Sequence, residues 1–425
     1  MHTDTLISYV ALALFVLALA HTFAAKQFER LSHRYPQHAG LFHLLGEVEV
    51  VFGFWALVLI LALAVLKDGA SALHYAESRN YTEPLFVFVV MVVAASRPVI
   101  DLVQRAMTFV SRLIPLPGAV SSTWLGLAVV PLLGSLVTEP AAMTLAALML
   151  APVVFRSEVP ERPKYFALGV LFVNVSIGGT LTAYAAPPVL MVAATWQWDS
   201  AYMLAHFGWK AVLAVLLNAT LATWVMRKHL QEIRSAAREE GAGAPAPAPV
   251  PLAVALVHVL LLAGVVVLAH HPVAFLGLFL MFLGFSQAYE RYQSPLILKE
   301  ALLVAFFLAG LVVLGGMQAW WLQPIVSSLE PLALFFGAIG LTAITDNAAL
   351  TYLGSLIAGI PVEAKHALVA GAVAGGGLTV IANAPNPAGV ALLKRGFADE
   401  SIGAMELLLG ALVPTALAAI AFLAL

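Results

Sequence analysis

The chain is 425 residues long, 62% hydrophobic and 10% charged, against about 25% charged in soluble domains. Its mean hydropathy of +0.95 excludes a water-soluble globular protein. The 21 basic and 23 acidic residues nearly cancel and no cysteine is present, so nucleic acid is not an expected partner, and disulfides, thiolate metal centres and iron–sulfur clusters are ruled out. What remains is an all-α polytopic membrane protein whose first partner is the lipid bilayer.

A helix needs about 20 apolar residues to cross that bilayer. In chain order, spans are expected at 6–25, 41–66 and 84–104. The next apolar stretch, 119–154, is broken near its middle by polar residues, and its shorter leg cannot cross; it reads as a re-entrant hairpin, tolerable only where its tip is buried in protein or lines a cavity. Spans follow at 165–194, 201–226, 252–270, 272–289 and 301–317, then a second hairpin at 324–360, then spans at 366–393 and 402–425. The expectation is about ten transmembrane helices plus two hairpins.

Charge tests this count. Threading the chain through it places most Lys and Arg on one side; only Lys67, Arg79, Lys210 and Lys365 fall on the other, and Arg97 lies inside a span, four residues before Asp101, its expected partner. The positive side is cytoplasmic, so both termini are expected outside. The first apolar segment has its basic residues after it rather than before it, unlike a signal peptide, and reads as a retained helix. Glu47 and Glu49 lie near the cytoplasmic end of their span, reaching the interface or joining a proton path.

Residues 227–251 carry mixed charge and then GAGAPAPAPVP, an extended cytoplasmic linker between two comparable halves. The tip of the first hairpin reads Thr138-Glu139-Pro140-Ala141-Ala142-Met143-Thr144; the tip of the second reads Thr345-Asp346-Asn347-Ala348-Ala349-Leu350-Thr351. Six of the seven positions match in identity or chemical type. Gly178-Gly179-Thr180-Leu181-Thr182 likewise matches Gly375-Gly376-Gly377-Leu378-Thr379, and Ala186-Pro187-Pro188 matches Ala384-Pro385-Asn386. Three motifs in one order imply a duplication. Each half crosses an odd number of times, so residues 1–226 and 252–425 are expected to be inverted repeats, a recurring plan in secondary transporters.

The glycine runs lie midway through 165–194 and 366–393, followed by Pro187, Pro188, Pro385 and Pro387. Glycine weakens a helix and proline removes a backbone donor, so both spans are expected to unwind within the membrane and free carbonyls suited to Na⁺. Glu139 and Asp346 are the carboxylates to single out, since a charge at membrane depth costs about 2.5–3.5 kcal/mol on insertion scales. A proton and a cation are alternative ways to neutralise such a group, and their competition is the physical basis of exchange. Both carboxylates also resemble helix caps. Thr138, Thr144, Thr182, Thr345, Thr351 and Thr379 supply neutral oxygens, and Asn347, Asn383 and Asn386 make the second site the richer, with Na⁺ expected at Asp346 and Asn383, Asp346 as the principal shared ligand and Glu139 as its pseudo-symmetric partner. Asn174 is a helper to the first site or an interhelical hydrogen bond. No His-Glu-x-x-His motif or nucleotide-binding loop occurs, so neither a zinc protease nor a pump driven by ATP bound to this chain is expected.

At the acidic hairpin tips and the Asn383-Ala384-Pro385-Asn386-Pro387 break, the sequence resembles the ion transporter superfamily, and within it the bacterial sodium/proton antiporters. The resemblance implies a dimerising scaffold domain, a homodimer, a transport domain of hairpins and broken helices, and elevator-like movement. It further implies Na⁺ (or Li⁺) and H⁺ as transported ions, with no cofactor, at a bacterial inner membrane. Dicarboxylate carriers of the superfamily carry Ser-Asn-Thr at these tips; here the tips read Thr-Glu-Pro and Thr-Asp-Asn, which repel a dianion. A Na⁺-coupled importer of a small organic or inorganic anion, and arsenite-type export, are the alternatives.

Overall fold

The computed structural model describes residues 2–46, 48–113, 118–236 and 249–425. Glu47 and the 237–248 stretch of the linker lie outside the described residues, as does the side chain of Glu49.

The described residues are predominantly helical. In chain order the first half contains α1 (His2–Arg34), α2 (Ala39–Gly46), α3 (Val48–Leu66), α4 (Gly69–Glu77), α5 (Thr82–Ala94), α6 (Arg97–Leu113), α7 (Gly118–Leu127), α8 (Val129–Val137), α9 (Glu139–Leu150), α10 (Glu161–Gly178), α11 (Pro187–Trp196), α12 (Ser200–Met203) and α13 (Trp209–Ala236). The second contains α14 (Leu252–Val267), α15 (Pro272–Ala288), α16 (Leu298–Gly315), α17 (Ala319–Ser327), α18 (Pro331–Thr342), α19 (Asn347–Ser355), α20 (Val362–Gly375), α21 (Asn386–Leu393) and α22 (Ala404–Ala424).

Five of these segments are long and apolar enough to cross a bilayer, or up to eight if each of three bent pairs counts as one span. The ten spans expected from hydropathy thus include shorter pieces, such as α14 and α15 at 16 and 17 residues. The stretch 84–104 is not straight: α5 stops at Ala94 and α6 leaves at 62°. Pro98 lacks an amide hydrogen and its ring crowds the preceding turn, while Ser96 Oγ donates to Val93 O at 2.7 Å. Arg97 therefore opens an amphipathic helix instead of sitting within a span, and its guanidinium lies 3.9 Å from Asp101. The expected span 41–66 narrows to α3, the legs of the second hairpin narrow to α18 and α19, and the charged start of the linker continues α13 to Ala236. Lys67 pairs with Asp4 at 2.8 Å, which joins the start of α1 to the end of α3 on one side.

The two largest hydrophobic cores among the described residues each draw on both halves of the chain. One is built from α8, α9, α10, α13, α20 and α22 around Val170, Leu171, Ala214, Val373 and Ala418. Its α10–α22 crossing is close: a Cβ added at Gly169 would lie 2.6 Å from the backbone of Gly410. The other is built from α1, α3, α5, α14, α15 and α16 around Phe15, Phe52, Val89, Phe275 and Leu311. Ala141, Ala348, Ala349, Leu190 and Met191 lie on hairpin or broken-helix elements but pack into this second core, so the facing surface is mostly small and smooth. Leu260, Val273 and Leu280, each more than two-thirds exposed, point outward, as side chains bathed in acyl chains do.

Candidate functional site

The two hairpin tips and the two helix breaks meet inside the first core. Between α8 and α9 the turn is a single residue, Thr138, with φ 80° and ψ 153°. This region of backbone space is all but reserved for glycine, and a β-branched residue there is strained by about 1–3 kcal/mol. Glu139 follows as the first residue of α9 and is fully buried. Its Oε2 accepts a hydrogen bond from Asn383 Nδ2 at 2.8 Å, so a carboxylate of the first half is held by an amide of the second. Its Oε1 has no hydrogen-bond partner. Gly179 makes the room: a Cβ there would lie 2.5 Å from Oε1 and 2.8 Å from Cγ.

The second tip is built differently. Asp346 is half-buried and caps α19, its Oδ1 accepting from the amides of Ala348 at 2.8 Å and Ala349 at 3.1 Å. Thr345 Oγ1 donates back to Leu341 O at 2.8 Å. Asn347 is fully buried; its Nδ2 reaches Ser176 Oγ at 3.4 Å, and Ser176 in turn donates to Val373 O at 2.8 Å. Gly376 leaves space for this pair, since its added Cβ would stand 2.9 Å from Asn347 Nδ2. Asp346 precedes Asn347, whose side chain reaches Ser176 of α10, the helix that leads into Gly179 beside Glu139.

Both expected breaks are present. After α10 the chain passes through a 3₁₀ turn, Gly179–Leu181, and extended residues before restarting at Pro187, with Pro188 next. Ser135 of α8 satisfies the freed backbone: its Oγ donates to Gly178 O at 2.7 Å and accepts from Leu181 N at 3.0 Å. Thr182 Oγ1 donates to Ser135 O at 2.7 Å. In the second break, between Gly375 and Asn386, that task falls to Asn386. Its Nδ2 donates to Gly376 O at 2.8 Å and Thr379 O at 2.9 Å, while Thr379 Oγ1 donates to Ala343 O at 2.9 Å. Pro385 precedes α21 and Pro387 is its second residue. Gly178, Gly375 and Gly377 serve close approach as well as unwinding: Cβ atoms added at the first two would lie 2.6 Å from Pro131 O and 2.8 Å from Ile339 O, and one at Gly377 would meet Val173.

The result is a group of buried oxygens without partners: Thr138 Oγ1, Glu139 Oε1, Thr342 Oγ1, Asn347 Oδ1, Asn383 Oδ1 and Asn386 Oδ1. Every one can accept, and buried acceptors are costly to leave unmatched. One carboxylate among amide and hydroxyl oxygens suits a hard monovalent cation held loosely enough to leave. Among the described residues no three His, Asp or Glu side chains converge.

Sequence reasoning overlooked Ser135, Ser176, Thr342 and Asn218. The first three stand in apolar helices, where a small hydroxyl residue reads as packing. Asn218 donates to Asn174 Oδ1 at 3.0 Å, and Asn174 donates to Leu127 O and Val215 O; this network ties helices together away from the tips.

A family model described as "Putative Na+/H+ antiporter" matches residues 6–425. Among solved structures, the chain is similar to the Alcanivorax borkumensis YdaH transporter, with 15% identity, 88% of this chain and 96% of that one covered, and a TM-score of 0.42. No curated protein matches. The family model spans nearly the whole sequence, and the chain belongs to that Na⁺/H⁺ antiporter family.

Proposed function

We propose that this chain exchanges Na⁺ (or Li⁺) for H⁺ across a bacterial inner membrane, and that Glu139 is the group the two ions share. The observation that carries this reading is the fully buried carboxylate with one unpartnered oxygen. An ionised carboxylate in that position costs several kcal/mol unless it is neutralised. A proton on Oε1 does so, and so does a cation lying between Oε1 and the free amide and hydroxyl oxygens around it. Each expels the other, since together they would leave a net positive charge in the same dry site. Asn383 holds Oε2 in either case and keeps Oε1 turned toward the gap. The free Oδ1 atoms of Asn383, Asn386 and Asn347 and the hydroxyls of Thr138 and Thr342 complete the cage, with carbonyls of the unwound segments.

Asp346 acts in this scheme as the neighbouring charge that sets the order of events, because a cation at Glu139 is stabilised by a second carboxylate close by. Thr345, Thr379 and Thr182 anchor the tips and breaks through their bonds to backbone carbonyls. Alternating access takes the form of an elevator: the core holding the hairpins moves against the α1–α3–α5–α14–α15–α16 core, across the smooth surface at Ala141, Ala348 and Ala349. That second core is then the scaffold and dimer surface. The halves 1–226 and 252–425 act as inverted repeats, and both termini face outward, in keeping with the Asp4–Lys67 pair.

The test is dissipation of a pH gradient in everted vesicles on adding NaCl, LiCl or KCl. Wild type should release protons with Na⁺ and Li⁺. Glu139→Gln should lose that response entirely, and Asp346→Asn should retain part of it. A wild-type protein that is folded in the membrane yet silent to every cation sinks the antiporter reading and turns attention to Na⁺-coupled uptake of a small anion.

A further inference from the structure

The helices that begin at the ion site end together at the opposite face. α9 starts with Glu139 and finishes at Leu150; α21 starts with Asn386 and finishes at Leu393. Beyond these ends, on the side where the basic residues gather, lies an open cavity of about 350 Å³ lined by Phe155, Arg156, Ser157, Glu158, Leu393 and Arg395, among others. Its walls are fixed. Lys164, fully buried, donates to Gly396 O at 2.5 Å and pairs with Glu161 at 2.8 Å. The Phe155 and Phe397 rings pack at 5.8 Å, and a Cβ added at Gly396 would overlap the carbonyl of Phe155. The Lys394–Gly396 turn is thereby clamped against the segment that follows α9.

The charges in the cavity do not cancel. Glu158 is engaged by Arg156, whose Nε and Nη2 stand 3.2 Å and 3.5 Å from its two oxygens; that hydrogen bonding holds its carboxyl below the usual range. Arg395 has no ion-pair partner among the described residues, and the adjacent Lys394 is exposed. An unpaired guanidinium on a rigid turn, with a serine hydroxyl and a second guanidinium across the gap that Glu158 shares, presents donors that bind tetrahedral oxyanions well.

We propose that this cavity binds a phosphate-bearing anion, either a phospholipid headgroup or free phosphate, through Arg395 with Arg156 and Ser157 beside it, and that the anion ties α9 to α21. Bound there, it joins the far end of α9, which begins at Glu139, to that of α21, which begins three residues after Asn383, and slows their relative movement. Only that effect on exchange rests on the antiporter reading; binding itself does not.

The experiment uses the purified full-length protein. Its melting temperature is followed against inorganic phosphate in detergent, with chloride at equal ionic strength as control, and separately in nanodiscs of phosphatidylcholine with and without phosphatidylglycerol. A saturable rise with either probe, weakened at least tenfold in Arg395→Gln and strengthened roughly threefold in Glu158→Gln, supports the site. Inorganic phosphate responding in detergent identifies a soluble ligand; phosphatidylglycerol alone responding identifies a lipid headgroup. Glu139→Gln should bind as wild type does, so loss of exchange and loss of anion binding are separate results. No saturable rise with either probe, or an undiminished one in Arg395→Gln, overturns the proposal. Arg395 is exposed, so its substitution leaves the fold intact.

Discussion

The two hairpin tips share a sequence pattern at a constant offset of 207 (345 − 138), yet the acidic residue plays a different part in each. Asp346 stands one position before its helix and turns a short side chain back onto two of that helix's own amides. Glu139 stands one position inside its helix, where no side chain caps the amides, and its longer side chain reaches across to Asn383. The mismatched position adds a second difference: Asn347 has a side chain that ties to Ser176, and Pro140 at the matching place has none to offer. A single step in register therefore separates a carboxylate spent on local structure from one left with a free oxygen.

The strongest way to break this comparison is to crowd one tip and spare the other. Gly179→Ala places a methyl group on Glu139 Oε1, and overpacking of this kind costs about 1–3 kcal/mol. We expect at least a tenfold loss of Na⁺-dependent proton release in vesicles with little loss of protein. Gly376→Ala instead presses on Ser176 and Asn347 and should raise the Na⁺ concentration at half-maximal rate more than it lowers the maximal rate. Equal behaviour of the two variants would mean that both tips hold the ion alike.

A smaller contrast lies at Ser135 and Thr342, which share the same offset of 207 (342 − 135). The Ser135 hydroxyl satisfies the first break, so Ser135→Ala leaves a buried carbonyl and amide unmatched at about 1–3 kcal/mol; its melting temperature in detergent should fall. The Thr342 hydroxyl is buried and unpartnered. Thr342→Val keeps the shape, removes an unmatched group and should hold or raise the melting temperature while weakening Na⁺ response. A melting temperature that falls as far as in Ser135→Ala would give Thr342 a structural partner and remove it from the cage.

Strain offers a third contrast. Thr138→Gly relieves a positive φ worth about 1–3 kcal/mol, and should stabilise the protein against heat by about 1 kcal/mol after the glycine's added chain entropy. Thr345 has no such backbone, so Thr345→Gly should destabilise. If stabilised Thr138→Gly also exchanges ions more slowly, the strain is part of the working tip.

Much of this was legible in the sequence, for identifiable reasons. Hydropathy exposes helices because no water satisfies backbone groups in lipid, and the two matching sequence motifs expose Glu139 and Asp346 because apolar surroundings make a carboxylate conspicuous. Both breaks were legible from glycine and proline chemistry. The bend at Ala95 was hidden because Val93, Ala94 and Ala95 continue the apolar run and only Pro98 marks the turn. Ser135 and Ser176 were hidden because their partners lie 43 and 197 residues away, and a lone serine has no periodicity to betray it. The pairing of Glu139 with Asn383 spans 244 residues and required the fold.

The last consequence of the unequal tips concerns charge. If Glu139 alone is shared, one Na⁺ replaces one H⁺ and no net charge moves in a turnover. If Asp346 titrates with it, two protons leave for one Na⁺, and each turnover carries one charge against the membrane potential, worth about 2.3 kcal/mol per 100 mV. The tip geometry favours the first case, because Asp346 Oδ1 already accepts two amides, and amide donors hold a carboxylate more tightly than a neutral acid. In proteoliposomes with the potential clamped by K⁺ and valinomycin, the Na⁺ and pH gradients at which flux reverses should not move between 0 and about 100 mV. A reversal point that shifts by the full one-charge equivalent would make the two carboxylates partners in titration and erase the distinction that their hydrogen bonds draw.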